Sequence, residues 1–117
     1  TNCYPFWEGC ALPYATLYMQ DMYRRVQKVA NGKRVIVSET GWPSAGGKFY
    51  GAESSLQGAY LYFLRAMEWA EDDNIEMFYF ASFDEEWKIG GDVGEGDVGA
   101  HWGLWNQDEQ FKYSNLL

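Results

Sequence analysis

A run of β-branched residues that ends at a carboxylate constrains the fold of this chain more than any other feature. The sequence Val-Ile-Val at 35–37 suits a strand that is buried on both faces. It is followed by Glu39, where the chain passes into the turn Gly-Trp-Pro-Ser at 41–44. A buried parallel strand that stops at an ionisable group is typical of a (β/α)8 barrel, whose catalytic residues lie at the carboxyl ends of the strands. The alternative is that Glu39 caps the turn or pairs with a base such as Lys48.

Two segments carry the period of amphipathic helices. Apolar residues recur at spacings of three and four from residue 15 to 30 and again from 56 to 70. Asn31-Gly32 is typical of the end of the first helix. Ser54 or Ser55 is the expected N-cap of the second helix.

Strand-like segments separate these helices. Strands are predicted at 1–6, 33–38 and 77–80, and the last two are apolar on both faces. Glycines at 46–51 indicate a flexible loop, and 89–100 is expected to be a surface loop without a regular period. Strands joined by helices of this length pair in parallel through right-handed crossovers. The sequence therefore predicts an α/β fold.

The length of the chain conflicts with a complete barrel. The chain has 117 residues, does not begin with methionine, and shows neither a signal peptide nor a transmembrane run. A (β/α)8 barrel typically needs about 250 residues. We therefore expect residues 1–117 to be the C-terminal portion, about three β/α units, of a single barrel domain. The N-terminal portion of the same protein is then its expected partner.

Composition narrows the class of ligand. The net charge of −8 argues against nucleic acid or an anionic membrane as a partner. Aromatic residues make up 19% of the chain, and flat aromatic faces stack well on sugar rings. Packing in the core is the alternative explanation for most of these rings.

The sequence does not decide whether its two cysteines form a disulfide. Cys3 and Cys10 could form a disulfide in a secreted protein, or both could be free thiols. Their spacing does not match a zinc site, so no metal is expected.

Four blocks of sequence share a fixed order along the chain. They are Asn-Cys-Tyr-Pro-Phe-Trp at 2–7, Val-Ile-Val-Ser-Glu-Thr-Gly-Trp-Pro-Ser at 35–44, Phe-Ala-Ser-Phe-Asp-Glu-Glu-Trp-Lys at 80–88 and His-Trp-Gly-Leu-Trp-Asn at 101–106. In this order they resemble the motifs of glycoside hydrolase family 17, the β-1,3-glucanases and glucanosyltransferases of fungi and plants. The resemblance covers nearly the whole chain. It implies a secreted enzyme, extracellular or in the cell wall, that acts on β-1,3-glucan without a cofactor.

The resemblance also implies a catalytic role for Glu39. It matches the family's nucleophile, which attacks the anomeric carbon and forms a glycosyl-enzyme ester. A retaining glycosidase needs a second carboxyl group about 5–5.5 Å away as its acid/base. In the family that residue lies earlier in the chain, in an Asn-Glu dipeptide, and no Asn-Glu occurs here. We therefore expect the isolated chain to be inactive.

Substrate-binding residues are expected around Glu39. Tyr4 matches a tyrosine that lies close to the nucleophile in the family, and a core position is the alternative. Trp42 follows the turn glycine and is expected to present an exposed indole to a sugar ring. Glu85 and Lys88 match a charged cluster that the family places at the end of its last strand, near the substrate. We expect this pair to hold sugar hydroxyls and to tune Glu39. A solvated acidic loop with a weak salt bridge is the alternative for this pair.

Several aromatic residues are weaker candidates of the same kind, namely Trp7, Phe83 and Trp87. The chain departs from the family at Gly99, where many members have a glutamate, and Glu95 lies nearby but out of register. The family's acidic cluster is therefore expected to lack one carboxylate. His101, the only histidine, is expected to be structural.

Three functions remain in competition. The first is endo-1,3-β-glucanase activity with retention of configuration. The second is β-1,3-glucanosyl transfer, in which a sugar hydroxyl replaces water as the acceptor of the same ester. The third is a carbohydrate-binding fragment without catalysis, which the missing acid/base favours for the isolated chain.

Overall fold

The computed structural model describes residues 1–89 and 96–117. The helices and strands, in chain order, are α1 (Leu12–Val29), β1 (Val37–Thr40), β2 (Lys48–Phe49), β3 (Ala52–Glu53), α2 (Leu56–Asp72) and β4 (Met77–Tyr79). Short 3-10 helices lie at Glu86–Lys88, Gly96–Ala100 and Ser114–Leu116. No helix in the described ranges is long and apolar enough to span a bilayer.

Parallel pairing brings the three predicted strand segments side by side, but two of the predicted bounds are wrong. The middle strand is Val37–Thr40 and not 33–38, and the segment 1–6 forms only a bridge. β1 pairs in parallel with β4, with Val37 opposite Met77. On its other side β1 meets the N-terminal segment (residues 1–6) through a parallel bridge between Asn2 and Glu39. The amide of Cys3 donates to the carbonyl oxygen of Glu39 at 2.8 Å. The predicted α/β organisation, with a helix between successive strand segments, is confirmed.

The helix boundaries follow local chemistry. α1 begins earlier than predicted because Pro13 suits the first turn of a helix. It ends where Asn31 and Gly32 adopt left-handed φ values of 53° and 80°. α2 begins as predicted after Ser55, whose hydroxyl accepts a hydrogen bond from the Gly58 amide at 2.9 Å.

A buried polar contact joins both helices to β1. The hydroxyls of Thr40 and Tyr62 lie 2.6 Å apart, and each lies 3.4 Å from the sulfur of Met19. All three side chains are fully buried, and burial raises the pKa of Tyr62, so its hydroxyl stays protonated and can donate. Since neighbouring strand residues face opposite ways, anchoring Thr40 on the helix side turns Glu39 to the other face of the strands.

Two loop expectations are wrong. The glycine-rich stretch at 46–51 is not simply a flexible loop, because it enters an antiparallel hairpin formed by β2 and β3. The end of the expected surface loop is buried at Val98 and Ala100, since residues 96–100 form a short helix that packs into the core. Residues 90–95 lie outside the described part of the chain.

Both cysteines carry free thiols. Cys3 is fully buried and Cys10 is half-buried. Burial raises the pKa of each thiol, which disfavours the reactive thiolate.

A nearly buried ion pair ties the C-terminal tail to the segment after β4. Oδ1 of Asp84 accepts from the Gly103 amide at 2.9 Å and from Nζ of Lys112 at 2.7 Å. The two charged side chains are only 11% and 9% exposed. Burial lowers the pKa of Lys112, and its bond to Asp84 opposes that shift. Asp84 pairs with Lys112, although Lys88 is closer to it in sequence.

Replacing Lys112 tests whether its ion pair with Asp84 stabilises the fold. Lys112→Met should lower the free energy of unfolding by about 3 kcal/mol, because it leaves the Asp84 carboxylate nearly buried without its counter-ion. Lys33→Met, the matched control, makes the same substitution at an exposed lysine and should change the free energy of unfolding little. Thermal and urea unfolding followed by circular dichroism would compare the two. Equal stability of the two variants would contradict the prediction.

Candidate active site

The carboxylate of Glu39 accepts a hydrogen bond on each of its oxygens. The hydroxyl of Tyr4 donates to Oε1 at 2.7 Å, and Nδ2 of Asn2 donates to Oε2 at 2.7 Å. The amide oxygen of Asn2 in turn accepts from the Ser38 hydroxyl at 2.6 Å, which fixes the orientation of the amide. Both donors are neutral, so the carboxylate is held in place without a salt bridge to either of them.

Strand geometry explains why these two side chains meet Glu39. Asn2 and Tyr4 are two positions apart on an extended segment, so they project from the same face. The parallel bridge between Asn2 and Glu39 sets that segment in register with β1. The proximity of Tyr4 and Glu39 agrees with the sequence expectation. Asn2 was missed as a site residue, although its spacing from Tyr4 carried the signal.

Edge-to-face aromatic contacts fix the ring of Tyr4. It contacts the ring of Trp102 with a centroid distance of 5.5 Å and that of Phe80 at 6.1 Å, both nearly perpendicular. Trp102 is only 4% exposed, so it forms a firm wall behind the tyrosine. Such contacts favour a defined ring orientation, and they leave the Tyr4 hydroxyl directed at the carboxylate.

Glu85 and Lys88 form an ion pair that is connected to this cluster through an aromatic ring. Nζ of Lys88 lies 3.3 Å from Oε1 of Glu85 and 5.0 Å from the centroid of Phe80. Phe80 in turn contacts Tyr4, the partner of Glu39. The Lys88 side chain is 11% exposed and that of Glu85 33%, so the pair is less solvated than a surface salt bridge.

The expectation of an exposed indole at Trp42 is wrong. This side chain is 1% exposed, and its ring packs against Phe6 and Tyr62 with centroid distances of 5.3 and 5.6 Å. Its Nε1 donates to the carbonyl oxygen of Glu53 at 3.1 Å. Trp42 therefore binds the turn after Glu39 to β3 and offers no face to a sugar.

The weaker aromatic candidates differ in exposure. Phe83 is 47% exposed and Trp87 66%, whereas Trp7 is half-buried. Their contact with a sugar stays a prediction. The carbonyl oxygen of His101 accepts from the Ser44 amide at 2.9 Å, and the structural role of its side chain stays a prediction.

The departure from the family pattern falls partly outside the described chain. Gly99, which stands where many members have a glutamate, is buried in the 3-10 helix at 96–100. Glu95 lies outside the described residues. Within 1–89 and 96–117, no group of three His, Cys, Asp or Glu side chains is placed to hold a metal ion.

The arrangement suits a carboxylate that acts as a nucleophile or stabilises a positive charge. Each oxygen of Glu39 accepts one hydrogen bond and keeps a further lone-pair direction. The neutral donors restrict rotation of the group and do not neutralise its charge. A partly exposed carboxylate held in this way can meet an electrophilic carbon with little loss of conformational freedom.

Comparison with known proteins identifies the family. Residues 1–103 match the family model described as the BtgE/BtgC glycoside hydrolase domain. A glucan 1,3-beta-glucosidase of Arthroderma benhamiae is 31% identical over 124 aligned residues, which cover 97% of this chain and 40% of that protein. The chain thus spans about two fifths of that relative.

Solved structures agree with the sequence match. An active-site mutant of the Rhizomucor miehei β-1,3-glucanosyltransferase, in complex with laminaritriose, superposes with a TM-score of 0.86 at 33% identity. The match covers 94% of this chain and 39% of that one. CJP38, a β-1,3-glucanase and allergen of Cryptomeria japonica pollen, has a TM-score of 0.72 at 24% identity, over 96% of this chain and 43% of its own, and shows the fold alone. Together with the predicted resemblance to glycoside hydrolase family 17, these matches show that the chain belongs to the BtgE/BtgC glycoside hydrolase domain family.

Proposed function

We propose that this chain is the C-terminal portion of a (β/α)8 barrel enzyme that cleaves β-1,3-glucosidic bonds with retention of configuration. The observation that carries the proposal is the Glu39 carboxylate at the end of β1, held by Tyr4 and Asn2. The names of the relatives, among them glucan 1,3-beta-glucosidases and a β-1,3-glucanosyltransferase, support the same substrate class. The complete enzyme acts outside the cell or in the cell wall, where a glucan polymer is accessible.

In the proposed reaction Glu39 attacks the anomeric carbon of a glucosyl unit. One carboxylate oxygen forms the ester bond as the glycosidic bond breaks, and the leaving oxygen takes a proton from an acid supplied by the N-terminal portion. Tyr4 and Asn2 keep the carboxylate aligned during the attack. The acid of the N-terminal portion, now deprotonated, then acts as a base on a water molecule. The water attacks the ester, which releases the sugar and frees Glu39.

The Glu85–Lys88 pair is proposed to bind sugar hydroxyls next to this centre. A carboxylate accepts and an ammonium group donates hydrogen bonds, so the pair can bind neighbouring hydroxyls of one glucosyl unit. Its restricted exposure strengthens such contacts relative to those of a fully solvated pair.

Glucanosyl transfer is the second candidate. The 33% identity to the R. miehei β-1,3-glucanosyltransferase over 94% of this chain favours it. Transfer and hydrolysis share the ester on Glu39 and differ in whether a sugar hydroxyl or water reaches it. Product analysis by mass spectrometry separates them, because transfer alone yields oligosaccharides longer than the substrate.

The isolated chain should be inactive, and the missing portion should restore both activity and stability. A short open sheet leaves unpaired edges and apolar side chains such as Phe78, which is 67% exposed. We define the joined enzyme as this chain fused behind the N-terminal portion of the R. miehei glucanosyltransferase that precedes the matched region. It should release sugar from laminarin and melt at a higher temperature than the chain alone. Hydrolysis by the isolated chain, or an unchanged melting temperature, would contradict the barrel.

In the joined enzyme Glu39→Gln should lower kcat on laminarin by roughly a thousandfold or more, because an amide is a poor nucleophile. Affinity for laminari-oligosaccharides should change little, since the amide is nearly isosteric with the carboxylate. Glu68→Gln, at an exposed position of α2, is the matched control and should keep full activity. Near-normal turnover by the Glu39 variant would remove the nucleophile assignment.

Tyr4→Phe in the joined enzyme should lower kcat roughly 10- to 100-fold and leave KM nearly unchanged. The change removes one hydrogen bond to a charged group, which corresponds to about 1.5–3 kcal/mol, and keeps the ring contacts. Tyr14→Phe, on the exposed side of α1, controls for the loss of a hydroxyl elsewhere. A purely structural role for Tyr4 would instead appear as a lower melting temperature with kcat intact.

A further inference from the structure

Tyr50 occupies the tip of the β2–β3 hairpin in an unusual conformation. Phe49 pairs with Ala52, so the loop between the two strands contains only Tyr50 and Gly51. Tyr50 adopts a φ of 52°, in the left-handed region that favours glycine or asparagine. Its side chain is 85% exposed. A large aromatic residue is thus held in a strained position where it contributes little to the core.

A neighbouring loop is shaped to hold the hairpin tip. A Cβ atom at Gly9 would lie 2.8 Å from Cβ of Tyr50, and one at Gly51 would lie 2.7 Å from the carbonyl oxygen of Gly9. Two side chains are therefore absent at the point where the two loops touch. The hairpin packs on the loop that contains Gly9. This loop directly follows the N-terminal segment, and Tyr4 lies in that segment. Strain that the surrounding structure maintains in this way is characteristic of functional sites.

A row of aromatic rings connects Tyr50 with the partner of Glu39. The centroid distances between successive rings, from the hairpin inwards, are 4.9, 5.3, 5.9 and 5.5 Å for Tyr50–Phe49, Phe49–Trp7, Trp7–Trp102 and Trp102–Tyr4. The rings become more exposed outwards, from buried Trp102 to half-buried Trp7 and exposed Tyr50. Tyr50 is the exposed end of a continuous row of ring contacts that reaches Tyr4, the partner of Glu39.

We propose that Tyr50 is an outer subsite that stacks on a glucosyl unit of the bound β-1,3-glucan, beyond the units held at Glu39. The proposal rests on the proposed function and adds a specificity residue to it. The face of a glucose ring presents C–H groups that pack well on an aromatic ring, and the phenolic hydroxyl can bond a sugar hydroxyl. A neutral polymer is not repelled by the net charge of −8. Such a subsite favours chains long enough to reach it.

Binding by oligosaccharides of graded length tests the subsite. The joined enzyme carrying Glu39→Gln should bind its ligand with very slow turnover, so isothermal titration calorimetry can measure affinity from laminaritriose to laminariheptaose. Adding Tyr50→Ala should weaken binding of the longest ligands about five- to tenfold and leave laminaritriose affinity unchanged. Tyr50→Phe should retain most of the affinity because the ring remains. Tyr14→Ala, which removes a ring that is 65% exposed on α1, should have no effect.

The other outcomes overturn the proposal in distinguishable ways. Unchanged affinity of Tyr50→Ala for every ligand shows that the ring does not contact the glucan, while the proposed function stands. Equal weakening for all lengths shows that the hairpin supports the centre and forms no outer subsite. A lower melting temperature with unchanged affinity assigns the ring to packing against the N-terminal portion. If the joined enzyme binds no oligosaccharide, the proposed function fails and the subsite fails with it.

Discussion

The candidate site depends on the parallel pairing of the N-terminal segment with β1. Two backbone hydrogen bonds of 2.8 Å, from the Cys3 amide to the Glu39 carbonyl and from the Ser38 amide to the Thr1 carbonyl, set the register. In this register Asn2 and Tyr4 face the carboxylate. A slip of one residue would turn these side chains to the opposite face. The buried contact of Thr40 with Tyr62 opposes such a slip from the β1 side, because it fixes which face of the strand meets the helices.

Aromatic packing converts this register into a rigid site. Trp102 contacts Tyr4, Phe6, Trp7 and Phe80, so a single buried indole braces residues from the N-terminal segment and from the end of β4. The ion pair of Asp84 with Lys112 holds the chain around Trp102 from the other side, since Asp84 also accepts from the Gly103 amide. The aromatic residues of this chain therefore pack the core and also hold the site residues in place. For this reason, composition alone does not tell which rings belong to the core and which to the site.

The sequence predicted features that depend on local pattern and missed those that depend on distant contacts. The helices, the Ser55 cap and the position of Glu39 at a strand end follow from spacing and turn chemistry. The pairing of Asp84 with Lys112 joins residues 28 positions apart, and no local signal indicates it. Trp42 was assigned to the surface because it follows a turn glycine, yet the hairpin behind it supplies a carbonyl acceptor and buries the ring. The hairpin was missed because tyrosine rarely adopts the φ that its turn requires.

In the proposed barrel enzyme, this chain and the N-terminal portion contribute different groups to catalysis. Retaining hydrolysis needs an oriented nucleophile and a proton donor about 5–5.5 Å from it. Orientation of Glu39 comes from Asn2 and Tyr4, which belong to this chain, and from a register fixed by contacts within it. The Glu39 carboxylate is therefore already oriented by contacts within this chain. In the proposed enzyme the N-terminal portion supplies the acid/base, so the function proposed for it is proton transfer and not alignment of Glu39.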